Sequence, residues 1–299
     1  MTLEEFEQHF YAEEQCRDYL FQLRWDEGFI CPKCANPKAW PIGKFLYECS
    51  ECGHQTSVIA GTIFQDTHLA LTKWFRAIWW VTSQKNGASA LGLQRELGIK
   101  SYRTSWMMLH KLRCAMVRPG RDKLSGRIEV DEAYIGGIEE DGKRGRGSEN
   151  KTLIVIAIEV QDNKMGRVRL ATAKDASAES LESFIKNNIQ PGSTIITDGW
   201  SSYSKINKSG YQHEVILSKN IEKDKQLPHV HLIVSLLKRW LLGTLQGAVA
   251  EEYLQYYLDE FTFRFNRRNS KSRGLLFYRL LQQAVVTQPV PAKELRPPF

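Results

Sequence analysis

No run of about 18 apolar residues occurs in the 299-residue chain, so a membrane-spanning helix is not expected. The opening stretch MTLEEFEQHFYAEEQC is acidic and amphipathic. It lacks the basic start and apolar centre of a secretory signal, and a cytoplasmic protein is the expectation. No internal repeat is evident. Cysteine is sparse, at 6 residues, and without an export signal these thiols are expected to stay reduced or to bind metal rather than to pair as disulfides. Hydrophobic content of 42% and aromatic content of 11% suffice for a buried core.

The formal net charge is +7. A basic balance favours a polyanionic partner without specifying one. Length allows two domains or three small ones. The first 28 residues read as one or two short helices, and residues 29 to 60 as turn-rich strand around the cysteines. Helical periodicity then runs from Leu71 to about Val117, in WFRAIWWVTS, SALGLQRELG and SYRTSWMMLHKLRCAM. The basic connector RPGRDKLSG follows and marks a boundary. Beyond it RIEVDEAYIGG, KTLIVIAIEVQ and GRVRLATA read as strands, SAESLESFIKNNI as a helix with Ser177 as N-cap, and STIITD as a short buried strand. That alternation indicates an α/β layer fold. The insert EEDGKRGRGSENK between the first two of these strands reads as a charged, mobile hairpin loop.

Four of the cysteines are clustered. CPKC and CSEC place Cys31 and Cys34, then Cys49 and Cys52, in two C-x2-C knuckles with fourteen residues between them. Two such turns facing one another close a tetrahedral Zn²⁺ site with no open position, a structural arrangement. A redox dithiol or an iron–sulfur centre is the alternative. Cys16 and Cys114 stand apart and read as small core residues.

Behind the ribbon, GASALGLQRELGI and KSYRTSWMMLHKLR have helix–turn–helix length with a turn at Gly98. The polar start of the second helix, Ser101 to Thr104, and Lys111 farther along could reach DNA, with Arg103 and Lys111 the candidate contacts. An ordinary helical hairpin fits equally well. In the α/β half, Asp131 sits mid-strand in EVDEAYIGG, and Asp198 ends the buried strand of IITDGWSSY, where α/β folds build their sites. Either alone could be a turn or cap residue. Together two such carboxylates can hold the divalent metals of phosphodiester transfer, Mg²⁺ or Mn²⁺.

A third ligand has a candidate source in LPHVHLIVSLLKRWLLGT, Leu227 to Thr244. As a helix beginning just after Pro228 it lines up His231, Ser235 and Lys238 on one stripe, with Leu232, Leu236 and Trp240 packing on another. A solvated polar stripe is the plain alternative. His229 would point away from that stripe and reads as an N-terminal flank. Glu251, Glu252 and Glu260 on the next helix are rival third ligands.

The ribbon CPKC…CSECGHQTSVIAGTIFQDT, the block EVDEAYIGG, the turn TDGWSSY and the ending LKRWLLGT…YLDEFTFRFNRR together resemble the bacterial insertion-sequence transposases that carry an N-terminal zinc ribbon and a DDE-type, RNase H-like domain. The resemblance spans about Phe6 to Arg268. It implies two catalytic aspartates, a third residue that is Glu, Asn or His, and a lysine seven positions later. These match Asp131, Asp198, His231 and Lys238. It further implies a mixed α/β, RNase H-like sheet, metal-dependent cleavage and strand transfer, and double-stranded DNA as partner, both terminal inverted repeats and target. A homodimer or higher oligomer on DNA is implied as well. Lys238, Arg239, Arg267 and Arg268 are then candidate phosphate contacts. The expected division is a ribbon segment at 1–66, helical DNA-binding segment at 67–122 and catalytic domain at 123–299. Histidine in the third position supplies nitrogen instead of a carboxylate, which favours Mn²⁺ over Mg²⁺. A domesticated DNA-binding protein and a nuclease that cuts without joining are the alternatives.

Overall fold

The structure, a computed structural model, describes residues 2–43, 45–118, 120–136, 151–162, 164–217, 226–247, 249–270 and 274–295. It divides into two compact units, Met1–Pro119 with Ser270–Phe299, and Gly120–Asn269. Among the described residues no helix is long and apolar enough to cross a membrane.

The first unit opens with α1 (Leu3–His9) and α2 (Glu13–Arg24). Thr2 and Glu5 form a reciprocal capping box that starts α1. The ribbon follows as an antiparallel sheet of β1 (Ala39–Ile42), β2 (Leu46–Cys49) and β3 (Gln55–Thr56). One face of it rests Tyr47 against Phe21, Trp25 and Phe29. Three helices come next, α3 (Leu71–Ser83), α4 (Ala90–Leu97) and α5 (Tyr102–Ala115). Ser89 caps α4, Gly98 ends it in the left-handed region at φ 57°, and Ser101 caps α5 three residues later. Local chemistry thus writes a helix–turn–helix connection.

The second unit is a five-stranded mixed sheet in the order β6-β5-β4-β7-β8. Strands β4 (Arg127–Gly136), β5 (Lys151–Gln161) and β6 (Lys164–Ala173) form an antiparallel meander. Helix α6 (Ala178–Asn188), capped by Ser177 as expected, crosses to β7 (Thr194–Thr197), which lies parallel to β4. Strand β8 (Gln212–Val215) is parallel to β7. This is a mixed α/β sheet, as the resemblance implies. Ile128 and Val130 on β4, Val155 and Ala157 on β5, and Leu181, Phe184 and Ile185 on α6 close the core on one face. Residues alternate along a strand, so Glu129 and Asp131 are left to the other face, where α7 (Pro228–Leu245) packs on β4 and β5. The charged insert after β4 lies, apart from Lys151, outside the described residues.

Helix α8 (Glu251–Phe265) runs along β6, an edge strand of the sheet. Its side chains take the outward backbone groups that would otherwise invite another strand. Gln255 accepts from the Thr172 N–H at 3.0 Å, and Asn266 both accepts from the Val168 N–H at 2.7 Å and donates to the Val168 carbonyl at 3.1 Å.

The last helix, α9 (Gly274–Val286), departs from the expected division, which kept residues 123–299 together. Phe277 meets Phe6 and Phe10 with ring centroids 5.5 Å away and Phe75 at 6.0 Å, so α9 completes the core of the first unit. An amphipathic helix advertises an apolar face but not the surface that will cover it.

Candidate active site

The two cysteine knuckles are built alike. Ala35, after Cys34, has φ 61° and Gly53, after Cys52, has φ 66°. In each knuckle the N–H of that residue donates to the carbonyl of the first cysteine, Cys31 at 2.9 Å or Cys49 at 3.0 Å. The first cysteine's own N–H donates 3.0 Å to the carbonyl five residues on, Asn36 or His54. Cys31 and Cys52 sulfurs stand 3.7 Å apart, Cys34 and Cys49 sulfurs 3.5 Å, and all four lie within 4.8 Å of one another. Zn–S bonds of 2.3 Å in a tetrahedron place sulfurs roughly 3.8 Å apart, so the donor set fits Zn²⁺. Backbone N–H groups of Cys52 and Glu51 pull the Cys49 thiol down to about 6, toward the thiolate that a metal binds. At Cys34 a backbone N–H from Asn36 is outweighed by the facing thiols and burial, which push it up to about 12.

The second constellation gathers on the free face of β4. Asp131 is half-buried at the middle of the strand. Glu129 pairs with Ile196 across the parallel β4–β7 contact, and two residues farther along each chain stand Asp131 and Asp198. Asp198 turns its Oδ1 to accept from the Trp200 N–H at 2.9 Å. Gly199 between them has φ +82°, and a Cβ there would lie 2.5 Å from Val215 Cγ1, so the turn that presents Asp198 requires glycine.

His231 occupies the first turn of α7 with Nε2 3.6 Å from Asp131 Oδ2. The pair is too far apart to hydrogen-bond and near enough to share a cation. Among the described residues, Asp198 is not gathered with these two as tightly as the four cysteines are with one another. Two carboxylates and an imidazole suit a divalent ion of the Mg²⁺ or Mn²⁺ class. Lys238 and Arg239 are exposed two turns along the same helix.

The packing face of α7 differs from expectation. Val230, Ile233, Leu237 and Leu241 are buried, whereas Leu232 is 43% exposed. His229 is also more than a flank. Its Nδ1 lies 2.6 Å from Glu129 Oε1, and the backbone N–H groups of His229 and Val230 each donate to Glu129 Oε2 at 3.0 Å. Glu129 escaped the sequence reading, although strand alternation puts it on the same face as Asp131. Ahead of α7, the buried Gln226 amide donates to the Asp198 carbonyl at 3.4 Å and to that of Ile216. The start of the helix is therefore tied to both aspartate-bearing strands. Beneath the sheet the buried Tyr203 hydroxyl donates to Glu132 Oε1 at 2.5 Å. Burial, then the Glu132 charge, holds its pKa well above the usual phenol value, so the hydroxyl keeps its proton.

The rival carboxylates lie elsewhere. Glu251 and Glu252 are exposed in the first turn of α8, and Glu260 is buried with its Oε1 taken by Arg264 Nε at 2.9 Å. Helix α8 packs on β6, with β5 between that strand and β4.

Of the candidate DNA contacts, Arg103 is exposed in the first turn of α5, and Lys111 is half-buried with its ammonium pKa lowered by that burial. Arg267 and Arg268 are engaged inside the second unit. Their guanidinium groups cover the Phe263 and Phe265 rings at 4.1 and 3.9 Å, and Arg268 donates to the Gly166 carbonyl at 3.2 Å.

Comparison with known proteins agrees with this construction. Residues 123–266 match the family described as ISXO2-like transposase domain, and residues 12–55 the transposase zinc-ribbon domain. A relative described as an uncharacterized protein in transposable element ISH50 of Halobacterium salinarum is 26% identical over 275 residues, spanning 85% of this chain and 91% of its own. Two solved structures also align. A pre-cleavage Mos1 transpososome is 10% identical with TM-score 0.28, covering 72% of this chain and 79% of its own. A Mos1 transposase paired-end complex with left transposon end is 9% identical with TM-score 0.23, covering 72% and 80%. Superpositions that loose add nothing to the assignment, which stands on the two matched domains and the motifs they contain. The chain thus carries a match to a transposase zinc-ribbon domain ahead of a match to an ISXO2-like transposase domain, the order that the motifs of insertion-sequence transposases imply.

Proposed function

We propose that this transposase performs metal-dependent cleavage and strand transfer at insertion-sequence ends, with Asp131, Asp198 and His231 as the metal-binding set. The observation that carries the reading is the approach of His231 to Asp131, 3.6 Å between residues on different elements. A divalent cation bound there supplies the Lewis acidity that phosphodiester transfer needs. Asp131 and Asp198 contribute the negative charge, and His231 contributes a neutral nitrogen only while its ring is unprotonated. Lys238, exposed on the same helix, would meet a phosphate backbone.

The ribbon, with structural Zn²⁺ on Cys31, Cys34, Cys49 and Cys52, and the α4–α5 pair would bind the terminal inverted repeats through Arg103 and Lys111. Arg239 is a further candidate phosphate contact. Arg267 and Arg268 keep that role only with the charge left over from their internal contacts. A homodimer or higher oligomer is the expected form on paired ends. Labelled terminal DNA incubated with full-length protein and Mg²⁺ or Mn²⁺ tests the reading. Joined products that disappear in Asp131→Asn support it. Cleaved ends that never join would make the protein a nuclease, and binding without cleavage would leave a DNA-binding protein.

A further inference from the structure

We infer that Glu129 is a positioning residue that sets the start of α7, and with it His231, against Asp131. The inference rests on the reading of Asp131 and His231 as partners at one metal site.

A new helix leaves its first N–H groups without intrahelical acceptors. In α7 the account closes through one side chain. Pro228 has no N–H, His229 and Val230 donate theirs to Glu129 Oε2, and the His231 N–H begins the ladder by donating to the Leu227 carbonyl at 3.1 Å. Glu129 Oε1 meanwhile holds the His229 ring at 2.6 Å. A carboxylate at a helix N-terminus is electrostatically favoured, and this one is only 5% exposed, so its field is little screened.

The geometry couples this clamp to the metal pair. Glu129 and Asp131 are two residues apart on one face of β4, a step of about 6.8 Å. His229 and His231 are two residues apart on α7, a rise of about 3 Å. The Glu129–His229 contact and the Asp131–His231 approach are consecutive rungs between the same strand and the same helix. Slipping the helix by one residue at the first rung would withdraw the imidazole at the second. Outer partners that orient a ligand act through it, not on the reacting atoms.

The test measures Mn²⁺ binding to the full-length, zinc-loaded protein by calorimetry, together with kcat and KM for strand transfer. Glu129→Gln should weaken Mn²⁺ roughly 10- to 100-fold and lower kcat while leaving KM for terminal DNA unchanged. In a His231→Ala background the same substitution should change Mn²⁺ affinity by less than about 2-fold, because its effect travels through the missing ring. Should Glu129→Gln not fold, as judged by its melting curve, His229→Ala serves in its place, since it leaves both backbone donors on Glu129. A smaller loss of Mn²⁺ affinity is expected there, again absent without His231. Wild-type Mn²⁺ binding in the folded variant, or an equal loss in both backgrounds, would overturn the inference. Wild-type Mn²⁺ binding in His231→Ala alone would instead overturn the metal reading beneath it.

Discussion

His231 and Asp131 are a hundred residues apart in the chain, and their Nε2 and Oδ2 atoms are 3.6 Å apart in space. A helix and a strand each contribute one side chain, and neither element carries the pair alone. Asp131→Asn should abolish strand transfer. His231→Ala should reduce it on the order of 10²- to 10³-fold, the weight of several kcal/mol of metal-borne stabilisation, with end binding unchanged. His231→Glu should restore activity in part and shift preference toward Mg²⁺, because it returns a hard, charged oxygen. An alanine variant fully active in both Mg²⁺ and Mn²⁺ would remove α7 as the source of the third ligand.

Gly199→Ala should act on Asp198 without touching DNA. The added methyl meets Val215 Cγ1 at 2.5 Å in a backbone already at φ +82°, so the turn must open and move the carboxylate. Strand transfer should fall at least roughly 10-fold, since small misplacements of reacting groups are expensive. Gel-shift affinity for terminal DNA should hold. Unaltered turnover would show that the turn relaxes without disturbing Asp198.

Cys34→Ser should release the ribbon's metal. One zinc per chain is expected in the parent by elemental analysis, and a chelator should unfold the ribbon while the β4–β8 sheet persists. Terminal-DNA binding should weaken with the loss. A parent preparation without stoichiometric zinc would refute the assignment of the four sulfurs.

Arg103→Ala should weaken terminal-DNA binding and lower the slope of log K against log salt by about 0.9, the value for one phosphate contact. Lys111→Ala should have the smaller effect on DNA, because its stem is half-buried beside Asp66. Unchanged affinity and slope in the Arg103 variant would take the start of α5 out of the interface.

Asp259 on α8 supplies a pH dependence of stability. Burial outweighs its contacts with Gln255 and Arg121 and raises the carboxyl to about 6, above the unfolded value near 3.9. The native state therefore holds this proton more tightly. The associated stability is full below the unfolded value and lost as pH rises through about 6. Asp259→Asn should be more stable than the parent at about pH 8, by on the order of 3 kcal/mol, and nearly equal to it at about pH 4. Urea unfolding at both values checks this, and a gap independent of pH would place the cause elsewhere.

Much of the fold was legible because its signals are local. KTLIVIAIEVQ is β5 residue for residue, Ser177 caps α6, and Gly98 turns α4 into α5. The face of α7 was not legible, because the helix is apolar on more than one side. Leu232 and Leu242 remain 43% and 67% exposed while Val230 and Ile233 are buried, and periodicity alone leaves such a choice open.

By itself the sequence determined most of the elements and the zinc knuckles, since spacing and residue chemistry act over a few positions, whereas two aspartates, a histidine and a lysine stand as a set only as what the resemblance to insertion-sequence transposases implies. The tertiary structure alone decided that α9 closes the first unit's core around Phe277. It alone decided that Glu129 binds His229 and that His231 reaches Asp131. These contacts join residues a hundred or more positions apart, and they form only when sheet register and helix packing bring together side chains that no local pattern relates.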